Sequence, residues 1–207
     1  MLSRLTFCAL ALLGAPVYAG TYTLEPDYTQ VVVRWNHLGF SNPAAQFAQG
    51  HGTLQFDALN PSRDSVEVTI PIASMITGVP GLDEHLRSSD FFDVERFPAA
   101  TFHSAQVEKV ADNRLKVSGN LELHGVTKPV TLDVTIVKIG TNPRSGLPTL
   151  GFEASTTLKR SDFGLGRFVP QVSDEIDMHI TSQAVEAAAY AAYLKAQAAE
   201  AAAQEKK

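Results

Sequence analysis

The chain has 207 residues, 44% of them hydrophobic, with 17 Lys and Arg against 22 Asp and Glu. An acidic balance without a basic run excludes a nucleic-acid binder held by phosphate contacts. Cys8 is the only cysteine, which excludes a disulfide framework, a zinc ribbon and a thiol nucleophile in the chain that follows it.

Residues 1–19 have the three-part pattern of a secretory leader. Arg4 supplies a basic start, Leu5 to Leu13 an apolar run, and Val17-Tyr18-Ala19 a small-residue exit, with cleavage expected after Ala19. The run is too short to span a bilayer, which takes about 20 residues. Cys8 sits too early, with no small residues before it, for a lipoprotein cleavage site. Losing Arg4 leaves 16 basic against 22 acidic residues, a net charge of −6. Export without disulfides fits a bacterial periplasmic protein whose fold relies on its own core. The remaining length suits one domain, over residues 20–183.

From Tyr22 to Ser182 the hydrophobic period is two. In chain order the runs are Val31–His37 (Val31, Val33 and Trp35 in phase), Phe47–Phe56, Val66–Ile72, Ala99–Val107, Leu115–Leu123, Val130–Ile136, Leu150–Leu158 and Ile176–Ile180. Each reads as a strand with one dry and one wet face. Turn-forming stretches separate them, among them "SNPA", "DALNPSRD", "VADNR", "LHGVTKP" and "GTNPRSGLP". Short connections imply antiparallel neighbours, hence a sandwich or a closed barrel. Runs of similar length favour an all-β antiparallel barrel of about eight strands, because closure removes exposed edges.

Two segments break the pattern. The tail, residues 184–207, is alanine-rich and predicts helix, and its Glu186, Lys195 and Glu200 exclude a membrane span. It reads as a solvated extension in preference to a docking helix. The other is "DEHLRSSDFFD", residues 83–93, which holds four carboxylates, a histidine and an arginine. Asp83 is a candidate N-cap. At about 100° per residue Leu82, His85, Leu86, Ser89 and Phe92 share one helical face, whereas Phe91 falls on the other. A short helical lid follows, pinned by aromatics at the barrel opening, with the acids as a cap and exposed-face charges. Calcium held by adjacent loop oxygens is the weaker reading.

No catalytic residue and no metal ligand is assigned. The six histidines, 37, 51, 85, 103, 124 and 179, are scattered, and none has the spacing that places two imidazoles on one metal. His103 and His179 fall on the wet phase of their strands; His37 shares its phase with Val33 and Trp35 and can point inward. The Gly-x-Ser-x-Gly, phosphate-loop and dinucleotide motifs are absent. "SDFG", Ser161–Gly164, reads as a turn in an all-β chain, with Arg160, Asp162 and Arg167 placing charge at a barrel rim. Periodicity alone favours a barrel interior filled by side chains.

Four blocks, "VRWNHLGFS", "HLRSSDFFDVERFPAATFHS", "GNLELHGVTKPVTLDV" and "RSDFGLG", resemble the YceI-like, or lipid- and polyisoprenoid-binding, family from about Tyr22 to Ser182. The resemblance implies a lipocalin-like barrel with a helical segment near residues 81–92, a tunnel for one long isoprenoid-type chain, and export to the periplasm. Tyr28 stands where many members have histidine and Glu25 where they have aspartate, so no role of that histidine carries over. Under this reading Val33, Trp35, Val68, Ile70, Phe102, Leu121, Leu132, Val134, Phe152 and Met178 line the tunnel, with His37 a further inward candidate. Leu86, Phe91 and Phe92 close its mouth, and Arg87 or Arg160 meets a polar head. The expected ligand is the lipid, with no other cofactor. Two alternatives stay open: an enzyme on such a lipid using His37 with Asp83 or His85, and a ligand-free structural barrel. In the latter the tail mediates association, a homodimer among the options.

Overall fold

The computed structural model describes residues 19–204, and residues 1–18, which carry nearly all of the expected leader, lie outside that range. The alternating runs form β1 (Ala19–Leu24), β2 (Gln30–Arg34), β3 (Ala44–Phe47), β4 (His51–Asp57) and β5 (Ser65–Pro71). After α1 (Pro80–Arg87) come β6 (Ala99–Ala111), β7 (Arg114–Leu123), β8 (Val126–Thr141), β9 (Pro148–Lys159) and β10 (Glu175–Glu186), then α2 (Ala187–Gln204). All ten strands belong to one antiparallel sheet, closed by pairing of β1 with β10.

The ten segments make eight staves. β1 and β2 lie end to end along β10, Tyr22–Leu24 opposite Ala184–Glu186 and Gln30–Arg34 opposite Asp177–Thr181. β4 pairs with β1 and β3 with β2, so the next stave is broken too. The expected single strand Phe47–Phe56 is therefore two strands, interrupted at residues 48–50. The cause is local. The first stave turns through a short 3-10 segment, Pro26–Tyr28, where proline has no N–H for the ladder. Gly50 sits against that turn, and a Cβ there would come 2.5 Å from the Thr29 methyl group and 2.6 Å from Ile70. Both staves break at the same height.

The meander gives the barrel two ends. The β4–β5, β6–β7 and β8–β9 connections lie at one end, the floor. The β2–β3, β5–β6, β7–β8 and β9–β10 connections lie at the other, the mouth. The β7–β8 turn is two residues long, His124 and Gly125, with φ of 52° and 73°, the twist that suits a two-residue hairpin.

The dry faces turn inward. Val117, Leu132, Ala154 and Phe102 form part of one buried cluster, Leu24, Leu54, Phe56 and Leu150 a second near the floor, and Val31, Phe47, Ile72 and Met75 a third below the mouth. Bulges between Ser104 and Gln106 and between Ile136 and Lys138 each shift the inward phase by one residue. Val107 thereby follows Phe102 into the core, and Ile139 follows Ile136 while Lys138 stays in solvent.

β10 runs on to Glu186, so the helical tail starts at Ala187 and not at 184. The Glu186 carboxylate caps the helix, accepting from the N–H groups of Ala188 (3.3 Å) and Ala189 (2.7 Å). No α2 residue is fully buried, and among the described residues no helix is long and apolar enough to cross a membrane.

Candidate ligand cavity and its mouth

The staves do not fill the barrel. A cavity of about 500 Å³ runs from Phe91 and Phe168 at the mouth to Leu54 and Asp64 at the floor, within the range of small-molecule sites. Its wall is apolar except at three levels. His37, His85, Arg160 and Arg167 stand at the mouth, Gln55, Asp64 and Ser65 at the floor, and Thr29 and Ser182 midway. The middle pair satisfies itself. Thr29 Oγ1 donates to the Glu25 carbonyl at 2.9 Å and accepts from Ser182 Oγ at 2.7 Å. Both side chains are buried in the wall beside the strand break.

Of the residues expected to line a tunnel, Val33, Trp35, Val68, Ile70, Phe102, Leu121, Leu132, Val134, Phe152 and Met178 do face the cavity, and His37 joins them at the rim. Ile136 and Leu158, the dry ends of two alternating runs, face it as well, and so do two residues the sequence pattern missed, Phe163 and Leu165. The last two lie in the "SDFG" loop, where no alternation marks the inward direction. That loop is a 3-10 turn, Arg160–Phe163, ended by Gly164 at φ 76°.

The lid departs from its expected form. Val79 is the N-cap of α1 and Pro80 its first residue, so Asp83 is not the cap. Asp83 reaches back instead, accepting from the backbone N–H (2.7 Å) and hydroxyl (2.6 Å) of Thr77. Those bonds hold its carboxyl below the usual aspartate range. Asp83 is not on the cavity wall, so of the two partners expected for His37 only His85 stands with it at the mouth.

α1 stops at Arg87, short of residue 92, and this lets both phenylalanines serve the mouth. Phe92 turns inward against Phe47, ring centroids 6.0 Å apart. Phe91 lies between His85 (5.1 Å) and Phe168 of the β9–β10 loop (6.2 Å). Phe91 thus packs on two protein rings while it lines the cavity mouth. Asp90 adds an ion pair to Arg167 on the same loop at 2.7 Å.

Both arginines expected to meet a head group are engaged with backbone carbonyls. Arg87 is not on the cavity wall; it donates to the Met75 carbonyl, and its Nε is buried without a partner. Arg160 lines the mouth, but its guanidinium is spent on the loop around it. It donates to the carbonyls of Ser173 (2.8 Å), Arg167 (2.8 Å), Val172 (3.0 Å) and Leu165. Burial pulls its pKa down, and nearby Asp174 opposes that. Asp174 in turn accepts from the backbone N–H (2.9 Å) and hydroxyl (2.7 Å) of Ser161. Arg160 is a clasp that shapes the rim.

At the floor, Asp64 accepts from the Asp57 N–H at 2.7 Å. Burial raises its pKa to about 6, the hydrogen bond opposing and the neighbouring Asp57 charge adding. Sequence reasoning gave it no role, since a lone aspartate in "NPSRD" reads as a turn residue.

Residues 22–184 match the model of the YceI-like domain. Protein YceI of Escherichia coli O17:K52:H18 is 37% identical over 184 residues, which is 88% of this chain and 95% of that one. The crystal structure of a Campylobacter jejuni YceI protein superimposes with a TM-score of 0.65 at 30% identity, covering 73% of this chain and 90% of that one. A polyisoprenoid binding domain from Saccharophagus degradans shares the fold, with a TM-score of 0.61 at 14% identity, over 80% of this chain and 98% of that domain. The eight-stave barrel, the lid over its mouth and these matches together place the chain in the YceI-like family.

Proposed function

We propose that the protein is an exported, periplasmic lipid-binding protein that sequesters or carries one isoprenoid-type chain inside its barrel, without transforming it. The observation that carries this reading is the cavity itself. It is long, about 500 Å³, apolar along its walls, and polar only at the two ends and at one self-satisfied hydroxyl pair. Such a wall gives water few partners, whereas a buried chain gains about 25 cal/mol for each Å² of apolar surface removed from water. Affinity then needs no ionic anchor, which suits a mouth whose arginines are already engaged. The Saccharophagus degradans domain of the same fold is described as polyisoprenoid-binding, which supports the ligand class.

Protein purified from the periplasm, extracted with organic solvent and analysed by mass spectrometry, tests this. Stoichiometric isoprenoid-type lipid in the extract is the expected result. Ligand-free protein that also takes up no prenyl probe would sink the reading.

A further inference from the structure

The mouth of the barrel carries a ring of apolar side chains that the fold leaves in water. Phe40 is 91% exposed, Ile76 59%, Val79 56%, Phe168 52%, Leu38 50% and Val169 37%. They come from three loops far apart in sequence, and the backbone ties these loops to one another and to the barrel. The Leu38 N–H donates to the Gln171 carbonyl at 3.1 Å, the Ser173 N–H to the Asn36 carbonyl at 3.0 Å, and Gln46 and Ile76 exchange two bonds at 2.8 and 2.9 Å. Scattered exposed apolar residues are ordinary; several converging around the opening of an apolar cavity mark an interaction surface.

Charge sorts the candidates for what covers it. Residues 35–43, 75–82 and 163–173 contain no Asp or Glu, in a chain that has 22. Their one formal charge is that of Arg167, with His37 as the remaining titratable group. On the lid Asp83 is bonded to Thr77 and Asp90 is paired with Arg167, while Glu84 is exposed on α1. The three loops that carry the exposed apolar side chains are thus themselves free of acidic charge, which favours contact with anionic headgroups. The aromatics fit the same partner, since Phe40 is almost wholly exposed and Phe168 half exposed at the mouth, and such side chains favour the membrane–water interface. A second copy of the chain meets the apolar requirement, but two rims face to face would seal both cavities.

We infer that the rim is a membrane-docking surface, which seats the mouth on an anionic bilayer so that a lipid passes between bilayer and cavity without crossing water. This rests on the lipid-binding reading, and the test separates the two. The mature chain is mixed with vesicles of phosphatidylethanolamine and phosphatidylglycerol and floated on a density gradient. The fluorescence of Trp35, the only tryptophan, is read alongside. Uptake of farnesol, a short prenyl alcohol added at low micromolar concentration from ethanol, is measured without vesicles.

The unaltered protein is expected to float with the vesicles and to shift its Trp35 emission. The pair Phe40→Ser and Ile76→Ser is expected to lower vesicle affinity about tenfold or more, while farnesol uptake and melting temperature hold. If the unaltered protein binds farnesol but does not float, or if the variant floats equally well, docking is overturned and the lipid-binding reading stands. Vesicle binding without farnesol uptake would overturn the lipid-binding reading instead. A dimer in vesicle-free solution that the same two substitutions dissociate would identify a second copy as the occupant and overturn the membrane.

Discussion

Asp90 and Arg167 meet at 2.7 Å across the mouth, one from the chain that follows α1 and one from the β9–β10 loop. Beside them Phe91 touches Phe168, so the two segments are joined by one ionic and one aromatic contact. Both charged side chains are about half exposed, and a pair of that kind contributes roughly 0.2–1 kcal/mol. Asp90→Asn is therefore expected to leave the melting temperature nearly unchanged while speeding release of a fluorescent prenyl probe a few-fold. A double-mutant cycle with Arg167→Gln should place the coupling in release kinetics; an unaltered release rate would show that the pair does not latch the mouth.

Ala154 faces the cavity from β9 and is 4% exposed. A phenylalanine there projects into space that the fold already leaves open, so strain should stay within about 1–3 kcal/mol. Ala154→Phe is expected to fold, by circular dichroism and thermal melting, and to take up little or no prenyl probe. Full-strength uptake by a folded variant would move the ligand out of the barrel.

Arg160 satisfies four backbone carbonyls in the loop over residues 165–173. Arg160→Lys offers a single ammonium in place of a planar fork and cannot reach all four. Unfolding in denaturant is expected to show a loss of about 2–3 kcal/mol, with faster amide exchange concentrated in that loop. Were the residue a head-group ligand instead, probe affinity would fall with stability unchanged.

Asp64 gives a pH signature. Its pKa rises from an ordinary 3.8 to about 6 on folding, so the fold favours the neutral carboxyl. The stability this contributes is fully present below about pH 4 and is lost as pH climbs through 6. Asp64→Asn stays neutral, and its Oδ1 can still accept from the Asp57 N–H. The melting temperature of the variant minus that of the parent should therefore increase between pH 4 and 6 and level off above. A flat difference would place the Asp64 carboxylate in water.

Because no residue of α2 is fully buried, removing residues 187–207 is expected to leave both the barrel's melting temperature and probe uptake close to those of the full chain. A change in mass by light scattering would reveal a role for the tail in assembly.

The strands and their inward faces were legible because a period of two leaves little freedom once the sheet closes. Val33 and Trp35, or Leu132 and Val134, can point only one way. The breaks were harder to read. Nothing in "FAQGHGTLQF" shows that Gly50 must yield to Thr29, since that contact joins staves far apart in sequence. Bulges hide for the same reason. Val107 reads as outward if counted from Phe102, until the extra residue near Ala105 resets the count. At the mouth, composition marked the right segment and misassigned its polar groups. An arginine beside an opening suggests a ligand, and only the structure shows its donors turned to carbonyls.

Closing the ring between its first and last strands fixes the protein's orientation as well as its shape. β1 begins, and β10 ends, at the floor, opposite the mouth. A tag, a tether or a fusion partner joined ahead of β1 therefore leaves the rim unobstructed. A protein immobilised by its N-terminus should present the open end of its barrel to whatever lies beyond the support.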